Sequence, residues 1–84
     1  MKKLNDKAYV YEVAHVPSTT VTIYEHENSF SAYIGYKTQP KGYVCSMPKD
    51  KMNLDEFVNF VDSVLTGTDF FRGTYMKMVG KINE

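Results

Sequence analysis

The stretch Asn53-Leu-Asp-Glu56, with the run Phe57 to Leu65 that follows it, decides the fold of this chain. The Asn53 side chain can accept a hydrogen bond from a free amide of a first helical turn, and the Glu56 side chain can reach back to the Asn53 amide. This spacing is typical of a capping box, which marks a helix N-terminus. Apolar residues then recur at helical intervals and predict one amphipathic helix: Leu54, Phe57, Val58, Val61, Val64 and Leu65.

The chain before this helix is predicted to form short strands. Residues 8–16, 19–25, 30–36 and 43–47 are rich in β-branched and aromatic side chains, and turn-forming residues separate these segments. Short connections between successive strands favour an antiparallel meander. We therefore expect an α+β fold over residues 1–84 as a single domain, with residues 1–7 flexible: a four-stranded, mainly antiparallel sheet followed by one helix packed on it.

The end of the chain is predicted to add a second helix. Gly67 stands where a left-handed C-cap residue would end the first helix. Within residues 68–82, Phe71, Tyr75, Met78, Val79 and Ile82 follow one helical stripe. Two glycines in this segment each cost about 1 kcal/mol inside a helix. A fifth strand over residues 74–79 is therefore the alternative to the C-terminal helix.

Composition narrows the class of protein. The chain has 84 residues, 24% of them charged, and a formal net charge of zero. Its size allows one hydrophobic core, and its neutrality removes the strongest general argument for a nucleic-acid or anionic-membrane partner. A single cysteine excludes an internal disulfide. The sequence contains no signal peptide and no apolar run long enough to span a membrane, so we expect a small cytoplasmic protein.

Catalytic and metal-binding residues are sparse. The candidate metal ligands are His15, His26 and Cys45, and in a hairpin of the first two strands the two imidazoles lie on the order of 20 Å apart. Cys45 occupies an apolar strand, where a thiol is normally a packing residue. Nucleophile-elbow and phosphate-loop motifs are absent from the sequence. We expect no metal, cofactor or enzymatic activity, and a small enzyme subunit that uses Cys45 with His15 ranks third among the functions.

A loop rich in tyrosine and lysine supports a second hypothesis. Tyr36, Lys37, Lys41 and Tyr43 place aromatic rings and ammonium groups close together in the sequence. Proteins that bind single-stranded nucleic acids stack bases on such rings and follow the phosphates with lysines. The alternative is a hairpin in which the rings pack and the lysines protect an edge strand from aggregation.

The aromatic content supports the leading hypothesis. Seven tyrosines and five phenylalanines exceed what one layer of helix needs to cover. Tyr9, Tyr11, Tyr24 and Tyr33 are candidates for an uncovered sheet face, where tyrosine tolerates partial exposure and favours protein interfaces. The alternative is a sheet face that closes over its own rings. We expect a non-enzymatic protein that binds another protein, or itself as a homodimer, as an inhibitor, adaptor or regulatory subunit; a phage or mobile-element product acting on a host protein fits this description.

Overall fold

A computed structural model describes residues 7–14, 18–36, 39–67 and 75–83. Within these ranges the elements are β1 (Lys7–Val13), β2 (Thr19–Glu25), β3 (Ser29–Tyr36), β4 (Gln39–Pro48), α1 (Leu54–Thr66) and β5 (Met76–Asn83). The strands form one sheet in the order β4-β3-β2-β1-β5, and all neighbouring strands are antiparallel. The α+β class, the meander of the first four strands and the helix packed on the sheet are therefore confirmed, whereas the predicted number of four strands is one too low.

The predicted capping box starts α1. The Glu56 amide donates to Asn53 Oδ1 at 2.8 Å, and the Asn53 amide donates to Glu56 Oε1 at 2.9 Å. The prediction of a left-handed C-cap at Gly67 is wrong, since its φ and ψ are −74° and −8°. The Gly67 amide still donates to the carbonyl of Ser63 at 3.0 Å, so helical backbone continues through this glycine.

One face of α1 supplies three of the eight buried residues in the core between helix and sheet. Phe57, Val61 and Leu65 are buried, and they pack on buried residues of three strands: Val13, Val21, Ile23, Phe30 and Ala32. Val64, predicted to lie in the apolar stripe, is 37% exposed. The buried stripe repeats every four residues, and four residues turn a helix by about 400°. Each successive buried residue is therefore displaced around the helix by about 40°, away from the side on which Val64 lies.

The predicted C-terminal helix is wrong for residues 76–83, which form β5 against β1; residues 68–74 lie outside the described ranges. β5 pairs with β1, which would otherwise be an edge strand of the sheet. A helix over the same residues would contain Gly80 in its interior, and a glycine there lowers helix stability. The pairing shifts register where Val10 opposes Gly80 and Tyr11 opposes Met78. Val79 is thus an extra residue, which hides the two-residue period of the strand.

The register assigns side chains to two faces of the sheet. On the helix side, Tyr9 pairs with Ile23 and Ile23 with Ala32. On the opposite face, which we call the far face, Val10 pairs with Thr22 and Thr22 with Tyr33. Far-face residues of β1, β2 and β3 are also buried: Ala8, Val10, Thr20, Thr22 and Ser31.

In the described part of the chain, no helix has the length and apolar character needed to cross a membrane.

Candidate functional site

The four candidate tyrosines divide between the two faces of the sheet. Tyr9 and Tyr11 lie on the helix side, where both pack partly buried against the core. Tyr24 pairs with Ala8 and Ser31, and Tyr33 pairs with Thr22, so both project from the far face. The structure therefore brings together two pairs of tyrosines rather than one set of four.

The far face carries a row of tyrosines across three adjacent strands. Tyr24 of β2 and Tyr33 of β3 have ring centroids 5.7 Å apart with an interplanar angle of 78°. Tyr33 and Tyr43 of β4 are also 5.7 Å apart, at 68°. Both are edge-to-face contacts, which stabilise a pair of aromatic rings in addition to the contribution of the buried area. We call Tyr24, Tyr33 and Tyr43 the tyrosine row.

Hydrogen bonds run beside the tyrosine row. The Tyr43 hydroxyl donates to Ser46 Oγ at 3.0 Å, and the Ser46 hydroxyl donates to Ser31 Oγ at 3.2 Å. Ser31 Oγ lies 3.2 Å from Nε2 of His26, whose ring stacks on Tyr24 at 6.2 Å. The chain of hydroxyls joins β4 to β3 and to the residue after β2, and it fixes the orientation of the exposed Tyr43 ring.

A serine beside an imidazole is also the geometry of a nucleophile and its base. Ser31, however, is only 8% exposed, and its hydroxyl accepts a hydrogen bond from Ser46. This arrangement positions groups on the far face rather than presenting a free nucleophile. The sequence did not indicate it, because its members come from separate strands whose register was unknown.

Two threonine hydroxyls lie buried below the far face. Thr22 is 1% exposed and Thr20 is 7% exposed. Among the described residues, neither Oγ1 atom has a hydrogen-bond partner. A buried hydroxyl without a partner loses its hydration and gains nothing in return, so these two groups cost stability.

Tyr9 belongs to an internal cluster on the helix side. Its hydroxyl donates to Glu25 Oε1 at 2.9 Å, and the Lys49 ammonium lies 2.9 Å from Glu25 Oε2. The hydrogen bond from Lys49 is the main cause that lowers the pKa of Glu25, while burial opposes it. Burial and the neighbouring carboxylate raise the pKa of Tyr9. The Tyr9 hydroxyl is therefore committed within the molecule.

The two tyrosines of the predicted tyrosine–lysine loop do not lie on one surface. Tyr36 and Tyr43 are 57% and 63% exposed, and Lys41 is also exposed. Tyr43 pairs with Tyr33 on the far face, whereas Tyr36 stands three residues further along β3 and therefore points to the helix side. Lys37 lies outside the described residues. The two rings can each stack on a ligand, but from opposite faces of the sheet.

Cys45 and His26, the two candidate ligands within the described residues, lie on different sides of the sheet. Cys45 lies on the helix side, partly buried against the core, and burial raises the pKa of its thiol. The protonated thiol is a weak nucleophile at neutral pH. His26 adjoins the far face, and His15 lies outside the described residues. Over the described ranges, histidine, cysteine and acidic side chains form no group of three or more that could hold a metal ion.

Comparison of the chain with protein-family models, with curated proteins and with solved structures gave no match. Function is therefore inferred from the geometry of the two faces.

Proposed function

We propose that this chain is a non-enzymatic protein-binding protein, an inhibitor, adaptor or regulatory subunit, and that it contacts its partner through the tyrosine row. The observation that carries the proposal is the row itself, which ends at Tyr43 with 63% of that residue exposed. The partner is a separate protein. A cytoplasmic setting, and a host protein as the target of a phage or mobile-element product, remain part of the proposal.

Tyrosine suits this role for physical reasons. Its ring contributes a large apolar contact area, and its hydroxyl can stay hydrated or bind a polar group of the partner. Binding normally costs conformational entropy when exposed side chains become ordered. Here the contact with Tyr33 and the hydrogen bond to Ser46 already restrict the Tyr43 ring, which reduces that cost.

The proposal concentrates binding on the far face. Tyr24 and Tyr33 keep the role that the sequence suggested, and Tyr43 joins them because the register places it beside Tyr33. Tyr9 is bonded to Glu25 and Tyr11 packs on the core. These two residues are therefore assigned to the helix side.

Paired substitutions test the proposal. Tyr43→Ser removes the exposed ring of the row, and Tyr36→Ser removes a ring of similar exposure on the other side of the sheet. In a pull-down from lysate of the source cells, the Tyr36→Ser variant should retain a specific partner and the Tyr43→Ser variant should lose it. Equal retention by both variants would remove the row from consideration. Light scattering of the protein alone measures its oligomeric state. A homodimer would contradict the proposal that the partner is a separate protein.

A single-stranded nucleic-acid binder is the second candidate. The exposure of Tyr36, Lys41 and Tyr43 favours it, while the zero net charge opposes it. Its binding to a labelled oligonucleotide should weaken steeply with added salt. An oligonucleotide whose mobility is unchanged at about 100 μM protein in low salt, a concentration that detects weak non-specific binding, would eliminate this candidate.

A further inference from the structure

A series of hydrogen bonds connects His26 to the exposed end of the tyrosine row. Nε2 of His26 lies 3.2 Å from Ser31 Oγ. Ser31 Oγ lies 3.2 Å from Ser46 Oγ, which lies 3.0 Å from the Tyr43 hydroxyl. Side chains of β3, of β4 and of the residue after β2 are thus joined in one line. We call these four side chains the hydroxyl relay.

The donors of the hydroxyl relay all point the same way. A serine or tyrosine hydroxyl has one hydrogen to donate. Tyr43 donates its hydrogen to Ser46, and Ser46 donates its own to Ser31. The hydrogen of Ser31 is left for Nε2 of His26, which accepts it only while this nitrogen carries no proton. In this state the Tyr43 oxygen offers a partner only the capacity to accept a hydrogen bond.

Protonation of His26 reverses the hydroxyl relay. Both ring nitrogens of a charged imidazole are donors, so Nε2 then donates to Ser31 Oγ. Ser31 is only 8% exposed, and an unpaired hydroxyl hydrogen is costly there; Ser46 Oγ, 3.2 Å away, can accept it. Ser46 in turn donates to the oxygen of Tyr43. The Tyr43 hydrogen is released at the exposed end of the row, where it can donate to a partner.

Other groups near His26 do not interrupt this route. Three charged side chains around it belong to the helix side of the sheet: Lys7, Glu25 and Lys49. Glu27 follows His26 in the chain and is exposed. On the far face, the ring of Tyr24 stacks on the imidazole at 6.2 Å. Among the described residues, the hydrogen-bonded route from the imidazole to Tyr43 therefore passes through the two serines.

We propose that His26 is a positioning residue for Tyr43, and that its charge decides whether the Tyr43 hydroxyl accepts or donates a hydrogen bond at the partner interface. The inference rests on the proposed role of the tyrosine row. The structure shows the accepting arrangement, so the partner offers a donor to Tyr43, such as a main-chain amide or a guanidinium group. Protonation of His26 sets two donors against each other and weakens binding.

The test observes the free protein and needs no partner. Tyrosine labelled with carbon-13 at Cζ reports the hydrogen bonding of each hydroxyl by NMR, and the resonance missing from Tyr43→Phe identifies position 43. Between about pH 5 and pH 8, where an imidazole gains or loses its charge, this resonance should show a single titration step. The step should vanish in His26→Gln. It should remain in His15→Gln, which changes the other histidine of the chain.

Variants of Ser46 distinguish the relay from a direct effect of the imidazole charge. Ser46 is exposed, and Ser46→Ala should abolish the step because it removes the middle hydroxyl. Ser46→Thr keeps a hydroxyl and should retain the step. These two variants decide the question if His26→Gln fails to fold by circular dichroism.

Two results would overturn the inference: a step that persists in Ser46→Ala, or the absence of a step in the wild type. Either result would leave the tyrosine row as a proposed interface. Failure of the proposed function would appear instead as equal retention of a partner by Tyr43→Ser and Tyr36→Ser.

Discussion

Phe30 and Phe57 stack across the boundary between sheet and helix, with ring centroids 5.3 Å apart and an interplanar angle of 23°. Phe57 is fully buried and Phe30 is 3% exposed. The contact joins β3 to the second turn of α1, close to the capping box that starts the helix. Through this contact α1, whose start the sequence predicts from the capping box, packs on the sheet.

Phe57→Ala should lower the free energy of unfolding by about 3–5 kcal/mol, because it removes a buried ring and leaves a cavity. Val64→Ala is the matched control on the same helix, and its loss should stay below about 1 kcal/mol because Val64 is 37% exposed. Urea denaturation of both variants measures the two losses. A loss below about 1 kcal/mol for Phe57→Ala would show that α1 is oriented differently.

Glu25→Gln should destabilise the protein at neutral pH by about 1 kcal/mol, the upper range for a partly exposed ion pair. The lowered pKa of Glu25 means that its charged form stabilises the fold above the unfolded-state pKa of about 4.3. This contribution disappears as pH falls through the lower pKa of the folded state. The difference from wild type should therefore shrink on acidification. Glu27→Gln, which removes an exposed carboxylate outside this ion pair, is the control in thermal unfolding.

Thr22→Val should leave stability unchanged or raise it by about 1 kcal/mol, since the change removes a buried hydroxyl that lacks a partner. Thr66→Val is the control, because the Thr66 hydroxyl donates to the Ser63 carbonyl at 3.2 Å. Its removal should be neutral or destabilising. A clear loss of stability in Thr22→Val, measured by urea denaturation, would mean that the hydroxyl has a hydrogen-bond partner in solution.

Asp62→Asn should raise the melting temperature at neutral pH. Burial raises the pKa of Asp62 in the folded state, so its charged form costs stability once the pH is above that pKa. The cost falls as the carboxyl group becomes protonated. The advantage of Asp62→Asn should thus vanish below about pH 4, near the unfolded-state pKa of aspartate. An advantage that persists at acid pH would contradict this explanation.

Local sequence was sufficient to predict the helix and those strands whose pattern does not depend on distant residues. The Asn53 and Glu56 spacing predicted the start of α1, and β-branched and aromatic residues between turn-forming residues predicted β2 and β3. The fifth strand was predicted only as the alternative to a C-terminal helix, because the extra residue Val79 breaks the alternation of β5 and because β5 pairs with β1, some 70 residues earlier in the chain. Long-range pairing of this kind leaves little trace in local periodicity.

The candidate site depended on register, which the sequence left open. The sequence predicted a hairpin of the first two strands without its exact register, in which Tyr9 pairs with Ile23. A register shift in the pairing of β3 with β4, between Ala32 and Tyr33, places Tyr43 on the far face, whereas the equally exposed Tyr36 points to the helix side. A slip of one residue exchanges the faces of a strand. The tyrosine row could not therefore be separated from Tyr9 and Tyr11 before the pairing was known.

The most direct test of the far face is photo-crosslinking with benzoylphenylalanine placed at position 43 or at position 36 and irradiated in the source cells. The two sites have similar exposure and lie on opposite faces of the sheet. We predict one discrete adduct with a different protein from position 43, lost when Tyr33 is also changed to Ser, and no matching adduct from position 36. Absence of an adduct at position 43, or the same adducts from both positions, would contradict the proposal that the tyrosine row binds a partner protein.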